Sequence, residues 1–271
     1  MPNWVRNRFV AFGTEEQIHD FIKNTTICTN GHSRVLDFRK IIPMPPVYDR
    51  DLCGRESDII RICASDIMSN KESVGANADA LLQYAAKYRR CSVDDLVLSG
   101  TEYNKTLARI LKTKDFDGNV LAKNAYDVRI LGTQLLVAYH MYNTYDSLDW
   151  CCKYWGTKWN VVDNDMSLSY CNHGDNLMTV SMTFDTAWSE PSEIYQRIFQ
   201  DYPDMRFDVV YANEEIGVGV GAMTYDGKEA RYVEYENDSQ LAMVNAISLW
   251  DVWDDYEFDK HTKQWIYVGE E

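Results

Sequence analysis

The stretch MTVSMTFDTAWSEPSEIYQRIFQDYPDMRFDVVY, residues 178–211, decides the fold. Met178, Val180, Met182 and Phe184 alternate with Thr179, Ser181 and Thr183, the period of a strand with one buried face. A helix starts near Ser189-Glu190, with Pro191 in its first turn where a missing N–H costs nothing, and it stops at Pro203. Met205, Phe207, Val209 and Tyr211 alternate as the next strand. Further on, Asp226-Gly227 separates the alternating runs 218–225 and 228–236, a hairpin signal. Ser239 opens a second helix to about Trp250, and Trp265-Ile266-Tyr267-Val268 reads as a closing strand. The order β-α-β-β-β-α-β is a ferredoxin-like α+β pattern with one additional hairpin strand.

Upstream, Arg8-Phe9-Val10-Ala11-Phe12 alternates up to Gly13, and Thr14 caps a helix carrying Ile18, Phe21 and Ile22 on one stripe. Val35-Leu36-Asp37-Phe38 resumes extended structure and runs into Ile41-Ile42-Pro43-Met44-Pro45-Pro46, where the prolines forbid a helix. Between the two ends the pattern changes to helical. Leu121, Ala125, Val128, Leu131, Leu135, Tyr139 and Tyr142 recur at spacings of three and four, predicting one long amphipathic helix with Gly132 as its weak point. Shorter helices are predicted around Ala78–Tyr88, Val93–Leu98 and Glu102–Leu111. The expected organisation is an N-terminal strand-helix-strand unit (1–55), a helical insert (56–154) and a ferredoxin-like antiparallel domain with two helices (155–271). The N-terminal strands either form their own unit or join the same sheet.

The charge is unevenly placed. Residues 190–271 hold 19 Asp plus Glu against 6 Lys plus Arg, so −13 of the total −15 lies there. Such a segment repels nucleic acid and anionic membrane and attracts basic protein surfaces. A small domain needs a net charge of only about 2–8 in magnitude for solubility, so this excess asks for another role. Glu234, Glu236, Asp238, Trp250, Asp251, Trp253, Asp254 and Asp255 interleave carboxylates with large aromatics, a pairing in which the rings anchor a partner and the acids steer it. The hydrophobic content of 45% is ample for packed cores. No run of about 18 apolar residues predicts a membrane helix. Met1-Pro2-Asn3-Trp4 is no secretion signal, and seven cysteines in scattered positions read as reduced thiols, so a cytoplasmic location is expected.

Catalytic and cofactor signals are weak. Cys151-Cys152 with Cys171 and His173 lack the spacing that brings paired thiolates to one zinc tetrahedron, so no metal or cofactor is expected. No Gly-x-Ser-x-Gly elbow exists, and Pro2 as an N-terminal amine is a remote proton-transfer candidate. Gly217, Gly219 and Gly221 alternate at strand spacing rather than opening a helix, so they read as close-packing positions and not as a phosphate loop. Trp155, Trp159 and Trp188 either pack as core or line an aromatic pocket, with Lys158, Asn160, Asp185 and Thr186 as its polar groups. A basic N-terminal set, Arg6, Arg8, Arg34, Arg39 and Lys40, keeps RNA binding open as a weaker alternative.

Several strings together carry a resemblance: Met1-Pro2-Asn3-Trp4-Val5 with Asn7, Ile42-Pro43-Met44-Pro45, Trp155-Gly156-Thr157-Lys158-Trp159-Asn160, Phe184-Asp185-Thr186-Ala187-Trp188 with Pro191, Tyr202-Pro203 and Tyr211-Ala212-Asn213-Glu214. With these, the chain resembles the YubB-like family of phage and plasmid proteins. The resemblance implies a ferredoxin-like C-terminal domain and a mobile-element origin, and it supplies no catalytic residues. The resulting expectation is a non-enzymatic protein that binds and inhibits a host protein, such as a defence or nucleic-acid-binding factor. Its acidic aromatic surface would serve as an ordinary interface or as a DNA mimic. A small-ligand protein with a Trp-lined pocket is the alternative.

Overall fold

Alternation at the N-terminus sets the centre of the sheet. In the computed structural model, which describes residues 3–29, 33–161, 167–174 and 176–269, β1 (Trp4–Thr14) buries Val5, Asn7, Phe9 and Ala11 on one face. The chain divides into two compact units, one made of the residues up to Pro43 with those from Cys151 onward, the other of Met44–Trp150.

In the first unit β1 leads into α1 (Glu15–Thr25), started by a capping box in which Thr14 and Gln17 satisfy each other's backbone N–H groups. The hairpin β2 (Thr26–Thr29) and β3 (Ser33–Leu36) follows, then a single turn, α2 (Phe38–Ile41). That turn stands where extended structure was expected. Asp37 caps it by accepting from Arg39 N–H, and the prolines take effect only from Ile42, which is extended ahead of Pro43.

The second unit contains α3 (Glu56–Ser69), the one-turn α4 (Lys71–Val74), α5 (Ala78–Arg89), α6 (Gly100–Lys112) and α7 (Ala125–Tyr142). Asn124 caps α7, so the long helix begins four residues after Leu121. The stretch 93–98 holds only a short 3₁₀ turn at Asp94–Leu96. Sequence reading missed α3 because Ile59, Ile60, Ile62, Cys63, Ala64 and Ile67 are all buried, which blurs a one-sided stripe. Helix α8 (Ser147–Tyr154) spans the sequence boundary between the two units. No described helix is long and apolar enough to cross a membrane.

The remaining elements complete the first unit: β4 (Ser167–Gly174), β5 (Leu177–Ala187), α9 (Ser192–Asp201), β6 (Arg206–Asn213), β7 (Gly221–Tyr225), β8 (Ala230–Glu234), α10 (Gln240–Trp250), β9 (Tyr256–Asp259) and β10 (Gln264–Tyr267). The fold class is α+β, with a six-stranded antiparallel sheet in the order β4-β5-β1-β6-β7-β8. Strands β5 and β6 run parallel across α9, and β1 fills the gap between them. The path β1-α1-β4-β5-α9-β6 therefore carries the ferredoxin-like strand order, with the helical unit inserted between α1 and β4. The expected closing strand is not part of this sheet. Residues 264–267 pair with β9, and of their side chains only Trp265 is half-buried, against Trp253 and Phe258 rather than in the sheet core. The run 218–225 is strand only from Gly221, because 214–220 form a loop.

One face of the sheet holds an aromatic cluster in which Phe9 lies 5.4 Å from Phe207, 5.5 Å from Tyr195 and 6.0 Å from Phe21. At its edge is a fully buried polar network on β1. Asn7 Nδ2 donates to Val5 O (2.8 Å) and Thr186 Oγ1 (2.9 Å), and Tyr195 Oη donates to Asn7 Oδ1 (2.8 Å). Tyr195→Phe leaves that amide oxygen buried without its donor. It is expected to cost about 1–3 kcal/mol in urea denaturation. A loss within experimental error would mean that the network relaxes without penalty.

Candidate functional site

The structure separates the residues expected to form an aromatic pocket. Trp155 is 1% exposed; its indole N–H donates to Ile42 O (2.9 Å) and its ring meets Phe38 edge-on at 5.7 Å. It is a core residue and cannot line a pocket. Asn160 is a cap: its Oδ1 accepts from Phe38 N–H (2.9 Å) and its Nδ2 donates to Asp37 (2.7 Å). Thr186 is buried and donates to Ser189 O (2.8 Å). Asp185 forms a two-point ion pair with Arg6 at 2.8 and 2.9 Å. Trp159 packs edge-on against Trp4, and the Lys158 ammonium lies 4.7 Å from its ring centroid and 4.1 Å from that of Trp188. Of these seven residues, Trp188 is the one that lines the cleft described next.

That cleft has a volume of about 270 Å³ and is walled by Trp188, Glu190, Tyr211, Asn213, Glu234 and Tyr235, with Val5, Ser189, Gly219, Val220 and Asn237 completing it. Local backbone explains its shape. After β5 the chain reverses at Trp188, whose φ of +78° is costly for a bulky side chain and leaves its ring 49% exposed. The turn is held by Trp188 N–H donating to Asn3 O (2.8 Å) and Ser189 Oγ donating to Gly156 O (2.5 Å). Beside the lining Tyr211, its β7 partner Gly221 has no side chain for a reason: a Cβ there would lie 2.3 Å from the Tyr211 hydroxyl. The close-packing expectation for these glycines holds at Gly221 under Tyr211 and at Gly217 under Met243.

The field in the cleft is negative. Burial, and secondarily the Glu234 charge, push the Glu190 carboxyl above its usual range. Burial, then Glu190 and Glu234, raise the Tyr211 phenol to about 12. No histidine, cysteine or lysine is among the lining residues. An anion would meet two carboxylates here, whereas a cation would relieve their repulsion.

Residues 155–264 match the family model described as a ferredoxin-like domain in Api92-like protein. A crystal structure of the protein Api92 from Yersinia pseudotuberculosis aligns over 87% of this chain and 99% of its own, at 13% identity and a TM-score of 0.36. No curated protein matches. The matched segment holds most of the cleft, including Trp188, Glu190, Tyr211 and Glu234, while β1, which contributes Val5 and completes the strand order, lies ahead of it.

Within this ferredoxin-like domain the expected partner-binding residues occupy two places. Glu234 enters the cleft from the end of β8, and the exposed Glu236 and Asp238 lead from it to α10. Asp251 caps α10 in a left-handed conformation (φ +55°), and Asp254 and Asp255 follow in a 3₁₀ turn. Trp253 is 42% exposed, edge-on to Trp265. Trp250 has a structural role instead: it packs on Ala212, Val220 and Ala246, donates to Ala212 O (3.3 Å), and lies 4.1 Å under the Arg6 guanidinium.

Sequence reading missed Glu190, Tyr211, Asn213, Tyr235 and Asn237 as cleft residues. Strand parity places Tyr211 in the core with Phe207 and Val209, and the sequence around Glu190 reads as a helix start. The basic set behind the RNA alternative is partly engaged. Arg6 is bound to Asp185 and Trp250, and Lys40 donates to Lys23 O (2.6 Å) and Thr26 O (2.8 Å). Among the described residues no three His, Cys, Asp or Glu side chains converge to hold a metal. Cys151 is buried and its neighbour Cys152 exposed on α8, while burial pushes the Cys63 thiol to about 11. Pro2 lies outside the described residues.

Proposed function

We propose that this protein is a non-enzymatic binding protein whose acidic domain engages the basic surface of another protein. The observation that supports it is the concentration of carboxylates beside exposed aromatic rings in one unit: the exposed Glu234, Glu236 and Asp238 near Tyr232 at one edge, and the exposed Asp251 and Asp254 with the half-buried Asp255 around Trp253. Rings of this kind supply contact area, and the carboxylates raise the rate of encounter with a positive surface. On this reading the partner is a host protein of the cell that a mobile element enters, and occupancy of its basic surface inhibits it.

The test is affinity capture from host lysate with the wild-type chain and an Asp251→Asn, Asp254→Lys, Asp255→Lys variant. Asparagine is used at 251 because it tolerates the left-handed backbone there. One dominant protein, captured at low salt and released at high salt, is expected for the wild type. Association measured with that protein should slow by about 10-fold or more in the variant at low salt, with unchanged unfolding midpoint. Equal capture by both proteins overturns the reading. A second reading, a small-ligand protein, is favoured by the cleft at Trp188 and Glu190.

A further inference from the structure

We infer that the cleft between Trp188 and Glu234 is a recognition site for a guanidinium or primary ammonium group. Where a protein side chain presents that group, the inference rests on the proposal of a basic partner; the chemistry of the cleft stands apart from it.

Three observations converge. The lining carries acceptors: two carboxylates, Glu190 and Glu234, and the Tyr211 hydroxyl, with the side chains of Asn213 and Asn237 beside them, the Asn237 Oδ1 already accepting from Gly219 N–H (3.3 Å). Guanidinium and ammonium only donate and carry a full positive charge, so they complement such a lining without leaving a lone pair opposed to a lone pair. Tyr211 is 8% exposed, yet its hydroxyl has no hydrogen-bond partner among the described residues, an arrangement that a ligand donor would complete. Trp188 and Tyr235 add aromatic rings, whose faces attract cations. The Trp188 ring already takes one cation, because Lys158 covers it at 4.1 Å; an incoming group is left the remaining ring surface. The strain at Trp188 accords with this role, since its positive φ turns the ring out towards solvent at the mouth of the cleft. A volume of about 270 Å³ admits the head and first methylenes of an arginine or lysine side chain, and not a nucleotide.

The sign of the pH dependence follows. In the empty cleft burial and Glu234 favour the protonated form of Glu190, and a bound cation favours the carboxylate. Binding therefore expels a proton, and affinity falls as pH drops through the raised pKa of Glu190.

The experiment is isothermal titration calorimetry of the full chain with n-propylguanidinium, n-butylammonium, the neutral N-butylurea and the peptide acetyl-Gly-Gly-Arg-Gly-Gly-amide. Saturable binding of the cations, none of the urea, and an affinity that declines on acidification are expected. Glu190→Gln and Glu234→Gln should each weaken the cations by about 10-fold. Tyr211→Phe should weaken them several-fold while leaving the unfolding midpoint in place, because its hydroxyl makes no hydrogen bond among the described residues. Peptide binding at least as tight as that of the small cations assigns the group to a polypeptide, whereas exclusion of the peptide assigns it to a free amine. Cations that bind no better than N-butylurea, or that bind equally to both Glu variants, overturn the inference. Cation binding with failed capture of any protein overturns only the partner reading.

Discussion

Trp155→Ala is expected to destabilise the sheet unit by about 3–5 kcal/mol, the range for truncating a fully buried tryptophan. The indole is 1% exposed and spans from Ile42, whose carbonyl it binds, to the ring of Phe38, which in turn meets Phe184 on β5 at 6.4 Å. Alanine removes the ring packing and leaves the Ile42 carbonyl without its donor. Trp155→Phe should cost less, since it keeps part of the ring volume. Urea denaturation combined with hydrogen exchange at β1 and β5 reads the effect. A change under about 1 kcal/mol, accompanied by intact protection, would mean that the ring is not part of the core.

The second large effect is expected at Gly132, in the helical unit. Here α7 crosses α3 so closely that a Cβ at 132 would lie 2.3 Å from Cys63 Cβ and 3.1 Å from Ile59 O. Neither atom is the end of a flexible chain, so the helices must move apart. Gly132→Ala is expected to cost about 1–3 kcal/mol from overpacking, although alanine favours the helix by about 1 kcal/mol. Gly132→Leu should cost about 3 kcal/mol or more and expose the α3 and α7 amides to exchange, with the sheet amides unaffected. Unchanged protection in α3 would overturn the close-crossing argument. The sequence marks this glycine as a weak point in the helix; the structure makes it the contact that allows two helices to approach.

The legible parts of the fold share one property: each is set by neighbours in sequence. The capping box at Thr14 and Gln17, the Ser239 cap of α10, the stop at Tyr202-Pro203 and the turn at Asp226-Gly227 all depend on local hydrogen bonds and fixed backbone angles. The strand alternation of β1, β5 and β6 is local too. Helix α3 escaped because a helix buried on most of its circumference loses its period, and α2 because a single capped turn is too short to show one.

The candidate site was only partly legible, for a different reason. Glu234 is visible as one member of an acidic run, but nothing in the chain says that it meets Glu190, forty-four positions earlier, in one cleft with Tyr211. The pocket expected from Trp155, Trp159 and Trp188 fails because residues adjacent in one string leave in different directions. Trp155 enters the core, Asn160 caps α2, and Trp188 turns outward at a strained residue.

The sequence by itself determined the α+β class, the helical character of the middle of the chain, the ferredoxin-like character of the C-terminal segment and the concentration of negative charge there. Only the tertiary structure decided that β1 fills the gap between β5 and β6, that β10 stays outside the sheet, and that Glu190, Tyr211 and Glu234 share a cleft. The physical reason is that strand periodicity fixes which side chains share a face but not which strand lies beside which. Neighbour choice is set by which buried faces pack together, a property of the folded chain as a whole.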